Sequence, residues 1–187
     1  MLKNMFLALT CLFTVQVFAQ NAPDSKKRQP ESFENFLMPG LGYVVHFPQN
    51  TNLGIFHGPS IEFVFYTQAE DRLQGPSHFR LYSRFNLLYS TQDSIKGMLI
   101  YGIGGSFSFE RVIYRKFMIP YFGLELGGVS QSNVGGSAFQ VTPILGLHLY
   151  SDENVSVNLY GAYSIAPRYY DEVSGPQGGL SVNVSFW

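Results

Sequence analysis

From Leu41 onward, apolar and polar residues alternate with period two, the repeat of an extended strand whose side chains point to opposite faces in turn. Eight such stretches can be counted, at 41–47, 60–68, 78–90, 97–110, 117–130, 138–150, 154–166 and 177–187. The links between them are short and mostly turn chemistry, such as Pro48-Gln49-Asn50, Thr91-Gln92-Asp93, Gly135-Gly136 and Ser151-Asp152-Glu153. No helical pattern of ten residues intervenes. Consecutive strands joined by such links must run antiparallel. An even number of them lets the last strand pair with the first, so the pattern predicts an all-β fold: a closed antiparallel up-and-down barrel of eight strands.

Sorting the strands by parity decides which environment each face of the wall meets. One face carries Phe63, Phe65, Phe79, Leu81, Phe85, Leu87, Phe107, Phe109, Leu124, Leu147, Val182, Val184 and Phe186 among its large apolar residues. The other is rich in Gly, Ser and Asn, has no Lys, and bears five formal charges: Glu62, Arg80, Arg84, Glu110 and Glu125. A soluble barrel would turn the first face inward and solvate the second. An eight-stranded barrel, however, has an interior just wide enough for side chains, and Phe and Leu from every strand would overpack it. The small polar face fits that volume, so the apolar belt is expected to face outward into hydrocarbon, and the barrel to be a transmembrane one.

Composition points the same way. Only 13% of the 187 residues are charged, the net charge is -1, and 16% are aromatic, against about 25% charged in an average chain. Such a balance lacks the basic field that nucleic-acid binding needs, so no nucleic acid is expected as a partner. At the amino end, Lys3 followed by the apolar run 5–13 and Val17-Phe18-Ala19 reads as a signal peptide, residues 1–19, cleaved after Ala19. The single cysteine, Cys11, lies within it, so no disulfide is expected in the mature chain. Residues 20–40, with Pro23, Lys26, Lys27, Arg28 and Pro30, read as a flexible lead-in, which leaves 41–187 for the barrel. After the signal no segment approaches 18 consecutive apolar residues, so any membrane crossing is made by strands.

The charges on the small face are the candidate site. Pairing the second and third strands about their link sets Glu62 opposite Arg84 on one face. Gly102 and Gly104 leave room for Arg84 to lean toward Glu125. A network of Glu62, Arg80, Arg84, Glu110, Glu125 and His148, with His46 also available, is expected to plug the lumen, because isolated buried charge is costly. Metal ligation has little support: His46, His57, His78 and His148 stand singly, without convergent spacing. The glycine runs 102–105 and 127–128 sit in strand pattern with no following helix, so they are not phosphate loops. No cofactor is expected.

With its signal peptide, eight alternating strands and the aromatic ending Val184-Ser185-Phe186-Trp187, the chain resembles the small outer-membrane barrels of Gram-negative bacteria, such as OmpX and the membrane domain of OmpA, over residues 41–187. In overall look it is also similar to outer-membrane barrels of the Bacteroidetes type. The resemblance implies residence in the cell outer membrane, contact with its lipid and lipopolysaccharide, and insertion by the barrel-assembly machinery. It also places the lead-in, 20–40, in the periplasm and links one, three, five and seven outside the cell, with protein partners at external or periplasmic loops. A structural or interaction role follows, with no enzymatic activity. His148 and Ser151 resemble part of the site of a lipid A deacylase, but an interval of three sets them on opposite faces of an extended strand. A lipocalin-like soluble carrier, its aromatic face lining a pocket, is the other alternative.

Overall fold

The computed structural model describes residues 34–35, 37–70, 77–109, 117–151 and 155–185. All belong to the unit Ser32–Trp187, whereas Met1–Glu31, with the predicted signal and most of the lead-in, lies outside the described residues. So do Glu110, Phe186, Trp187 and the side chain of Phe109.

Eight strands form the wall: β1 (Met38–His46), β2 (Phe56–Glu70), β3 (Ser77–Ser90), β4 (Met98–Phe109), β5 (Phe117–Gln131), β6 (Gly136–Ser151), β7 (Val155–Ser164) and β8 (Gly175–Val184). Every consecutive pair is antiparallel, and β8 pairs with β1 over Gly40–Asn183 to His46–Gln177. The sheet therefore closes on itself and leaves no edge along these strands. A two-residue strand, Glu34–Asn35, adds to β2 opposite Gln68 and Thr67.

The wall begins three residues earlier than the lead-in predicted at 20–40. Pro39 and Gly40 read as a break, yet Pro39 stands opposite Phe63, and Gly40 is wedged against Asn183, where a Cβ would lie 2.2 Å from Nδ2. Neighbours on both sides override the local signal. The actual irregularity is one step back, at Leu37, whose φ of 70° turns the chain.

The parity of the wall is that of the sequence pattern. Phe63, Phe65, Phe85, Leu87, Phe107, Leu124 and Val182 are exposed on the outside, while Phe79, Leu81, Leu147 and Val184 are half-buried there. Seen from the mouth bearing links one, three, five and seven, the lumen has three levels. The first is apolar: Val44, Phe56, Leu88, Met98, Ile100 and Val129, all buried. The second holds Glu62, Arg84 and Glu125 with Tyr82 and Tyr160, and the third is a polar floor of Arg80, His148, Ser156, Asn158, Ser181 and Asn183. The apolar level corrects the expectation of a lumen filled only by small and charged residues. A water-exposed interior is not needed at a level the links cover, so apolar side chains pack there.

Three tyrosines use glycines as sockets. Tyr82 stands opposite Gly104, Tyr121 opposite Gly146 and Tyr160 opposite Gly179. A Cβ on these glycines would lie 2.5, 2.3 and 2.4 Å from the facing ring. Each ring thus lies flat over a backbone that only glycine keeps bare. Gly179→Ala is expected to displace Tyr160 and cost about 1–3 kcal/mol, measured as a lowered urea midpoint for the detergent-folded protein.

Candidate functional site: a buried charge network and a strapped mouth

Arg84 is the centre of the second level. Its Nε and Nη2 both donate to Glu62 Oε2, at 2.9 and 2.6 Å, and its Nη1 donates to Glu125 Oε2 at 3.3 Å. The strand register explains the reach. Glu62 is the direct cross-strand partner of Arg84, and on the other side Arg84 faces Gly102, which faces Gly127. Glu125 bends into the space so left, and a Cβ on Gly102 would sit 2.8 Å from Glu125 Cγ. The guanidinium also lies 4.8 Å from the ring centroid of Tyr82 and 4.3 Å from that of Tyr160. Two aromatic faces and two carboxylates therefore surround one cation, an arrangement that replaces the water stripped from it by burial.

Arg80 and His148, predicted with this group, belong to a separate network on the floor. Arg80 reaches across the lumen to donate to Ser156 Oγ at 2.7 Å and Ser151 Oγ at 2.8 Å. Ser156 Oγ and His148 Nδ1 both contact Asn158 Oδ1, at 2.7 and 2.6 Å. Because Asn158 Nδ2 donates to Asn183 Oδ1 at 2.9 Å, Oδ1 is the acceptor and His148 Nδ1 carries its proton. Tyr121 stacks on the imidazole with centroids 4.3 Å apart.

His148 and Ser151 require a correction. An interval of three was expected to separate them, but a bulge between His148 and Tyr150 inserts an unpaired residue, and both side chains are buried in the lumen. A bulge is not readable from alternation. The pair still faces away from lipid, with Ser151 Oγ taken by Arg80 and His148 Nδ1 by Asn158.

The mouth above the apolar level is covered by links one and seven. Residues 165–174 form a strap containing a 3-10 turn (Pro167–Tyr169) and one helical turn, α1 (Tyr170–Val173). Its Ala166 and Val173 are buried, beside Leu53 and Phe56 from link one and the start of β2. Gln49 N donates to Ser174 O at 2.8 Å and Asn50 N to Glu172 O at 3.3 Å. Ser174 Oγ accepts from Ala166 N at 2.9 Å, and His46 Nε2 contacts Val173 O at 2.8 Å. Tyr169 Oη donates to Gly135 O at 3.2 Å, tying the strap to link five. The alternation pattern ends the seventh strand at Ala166 and leaves turn chemistry for link seven, Pro167 to Pro176, with no helical turn in it; the signal available was Val173, an aliphatic residue inside that link.

No known family profile matches the chain, and no curated protein does. Among solved structures it is similar to Neisserial surface protein A (NspA), an eight-stranded outer-membrane barrel. The superposition has a TM-score of 0.50 at 17% sequence identity and covers 80% of this chain and 96% of that one. Together with the closed strand pairing, this assigns the fold: an outer-membrane-type, eight-stranded, all-antiparallel β-barrel.

Proposed function

We propose that the chain is an integral outer-membrane protein with a structural or interaction role, that its lumen is a plug, and that it performs no catalysis. The observation that carries this is its inverted polarity. Leu41 and Leu145 are 70% and 72% exposed on the wall, whereas Arg84, at its centre, is 4% exposed. Apolar surface arranged as a continuous belt is stable against acyl chains and unstable against water. The same belt argues against a soluble carrier, whose large apolar side chains would line an interior pocket. The Arg84 network, the apolar level and the strap lie in series along the lumen, which supports a plug over a pore.

The contacts that go with this role are outer-membrane lipid and lipopolysaccharide along the belt, the barrel-assembly machinery during insertion, and a protein partner at the loops. Membrane fractionation is expected to recover the protein with the outer membrane, and its gel migration is expected to shift on boiling. In planar bilayers no discrete conductance is expected, and incubation with lipid A followed by mass spectrometry should return it unaltered. Recovery in the aqueous fraction would sink the membrane assignment, steady conductance the plug, and a deacylated product the non-enzymatic role.

A further inference from the structure

On the outer face of the wall, at the strapped mouth, three strand ends leave a groove that neither lumenal network touches. Leu87 of β3 pairs with Leu99 of β4, and Leu99 with Ser130 of β5, in one row on the outward face. The row above continues with Tyr89, Gly97 and Ser132. In both rows a large side chain on β3 gives way to a serine on the β5 side, so the surface falls away and encloses about 270 Å³. Gly97 keeps the backbone bare between Tyr89 and Ser132; a Cβ there would lie 2.8 Å from Leu88 O.

The groove has two natures. Its lower row is apolar and continuous with the belt, whereas its upper row adds the hydroxyls of Tyr89 and Ser132. Lys96 precedes Gly97 and stands exposed at the upper end. It is the only lysine among the described residues, and the ion pairs there are those of Arg84 inside the lumen, so its ammonium is unspent. A flexible four-carbon stem lets that charge swing over the groove. Tyr43, Tyr89 and Tyr101 are exposed on the outer face at the same end of the wall, and tyrosines gather where acyl chains give way to headgroups. A fitting ligand therefore carries an anion a few ångströms from an alkyl chain. The volume is below the ~300–1,000 Å³ of pockets that engulf a whole small molecule. The groove thus grips one part of a larger amphiphile whose other chains lie along the belt.

We infer that this groove is a binding site for lipid A, with Lys96 and the Ser132 hydroxyl on a phosphate and one acyl chain over Leu87 and Leu99, beside Ser130. The inference rests on the membrane reading above, with links three and five on the external side, where the phosphorylated lipid is lipopolysaccharide. To a general contact along the belt it adds a fixed position and a charge.

The test is native mass spectrometry of the full chain, folded in non-ionic detergent, with bisphosphorylated lipid A, its dephosphorylated form and phosphatidylglycerol as probes. Retention of one bisphosphorylated lipid A per barrel is expected, in preference to both other lipids. Lys96→Gln is expected to weaken retention about fivefold. Ser130→Trp, which fills the groove with a side chain suited to the headgroup level, should abolish it. Arg168→Gln removes the other exposed arginine or lysine among the described residues, on link seven, and should leave retention unchanged. Heat-modifiable migration checks that each variant is folded, and membrane fractionation is read on the wild type. Protein found in the outer membrane that retains no lipid A overturns the site alone, whereas protein found in the aqueous fraction overturns the membrane reading beneath it. Equal retention of phosphatidylglycerol, equal losses in Lys96→Gln and Arg168→Gln, or a dimer that Ser130→Trp dissociates also overturns the site.

Discussion

Arg84→Ala is expected to lower folding stability by about 3–5 kcal/mol, the usual cost of removing one partner from a buried ion pair. The loss is large because it is asymmetric. The substitution strips two carboxylates, Glu62 and Glu125, of the one guanidinium bonded to both, and leaves them at the same level of a narrow lumen. It also removes the cation from between the rings of Tyr82 and Tyr160. Urea unfolding of the protein in detergent reads the change directly. Adding Glu62→Gln and Glu125→Gln to the same chain should recover most of the loss, since neutral amides tolerate burial better than unpaired charge. Conductance should stay at zero in all these proteins, because Phe56, Leu88, Met98 and Val173 still close the mouth above. An unchanged midpoint in Arg84→Ala would mean that the network contributes nothing to holding the barrel.

Leu124→Arg tests the wall instead of the lumen. Leu124 lies at the middle of β5, on the outer face, next to the inward-facing Glu125. If acyl chains cover that position, an arginine there costs about 2–4 kcal/mol, as charged residues do near the midplane of outer-membrane barrels. On a water-exposed wall the same change stays within about 0.5 kcal/mol. The two outcomes differ enough for a single measurement of folding into lipid vesicles to separate them. A wild-type midpoint for Leu124→Arg would leave the belt without its solvent.

How far the molecule could be read from its residues depended on where along each strand one looks. In mid-strand, alternation is strict, and Phe85 and Leu87 around Asn86, or Leu124 and Leu126 around Glu125, declare their faces. Near the upper mouth, Val44, Leu88, Met98, Ile100 and Val129 are apolar and face inward, because both sides of the wall are dry there. Parity counts then lose contrast, and this level was invisible. Bulges were invisible for a different reason: an inserted residue at Phe65 or Leu149 looks like any other until the partner strand is known. In the candidate site, the Glu62–Arg84 contact followed from symmetric pairing about a link, and the gap toward Glu125 from two glycines. Tyr160 as a wall of the Arg84 cage did not, since it comes from β7, across the lumen, and no local pattern relates distant strands.

The tyrosine sockets also bear on how the cylinder is put together. Each joins the two arms of one hairpin, β3 with β4, β5 with β6, and β7 with β8. A slip of one residue would turn the ring to the other face. A slip of two would drive Tyr121 onto Ile144 or His148, and Tyr160 onto Gln177 or Ser181; only Tyr82 has a second bare backbone, Gly102, within reach. The arms of these hairpins are thus keyed to each other before the ring is complete. Both bulges fall elsewhere, in the pairs β2–β3 and β6–β7. An inserted residue is thus accommodated in pairs that no tyrosine keys.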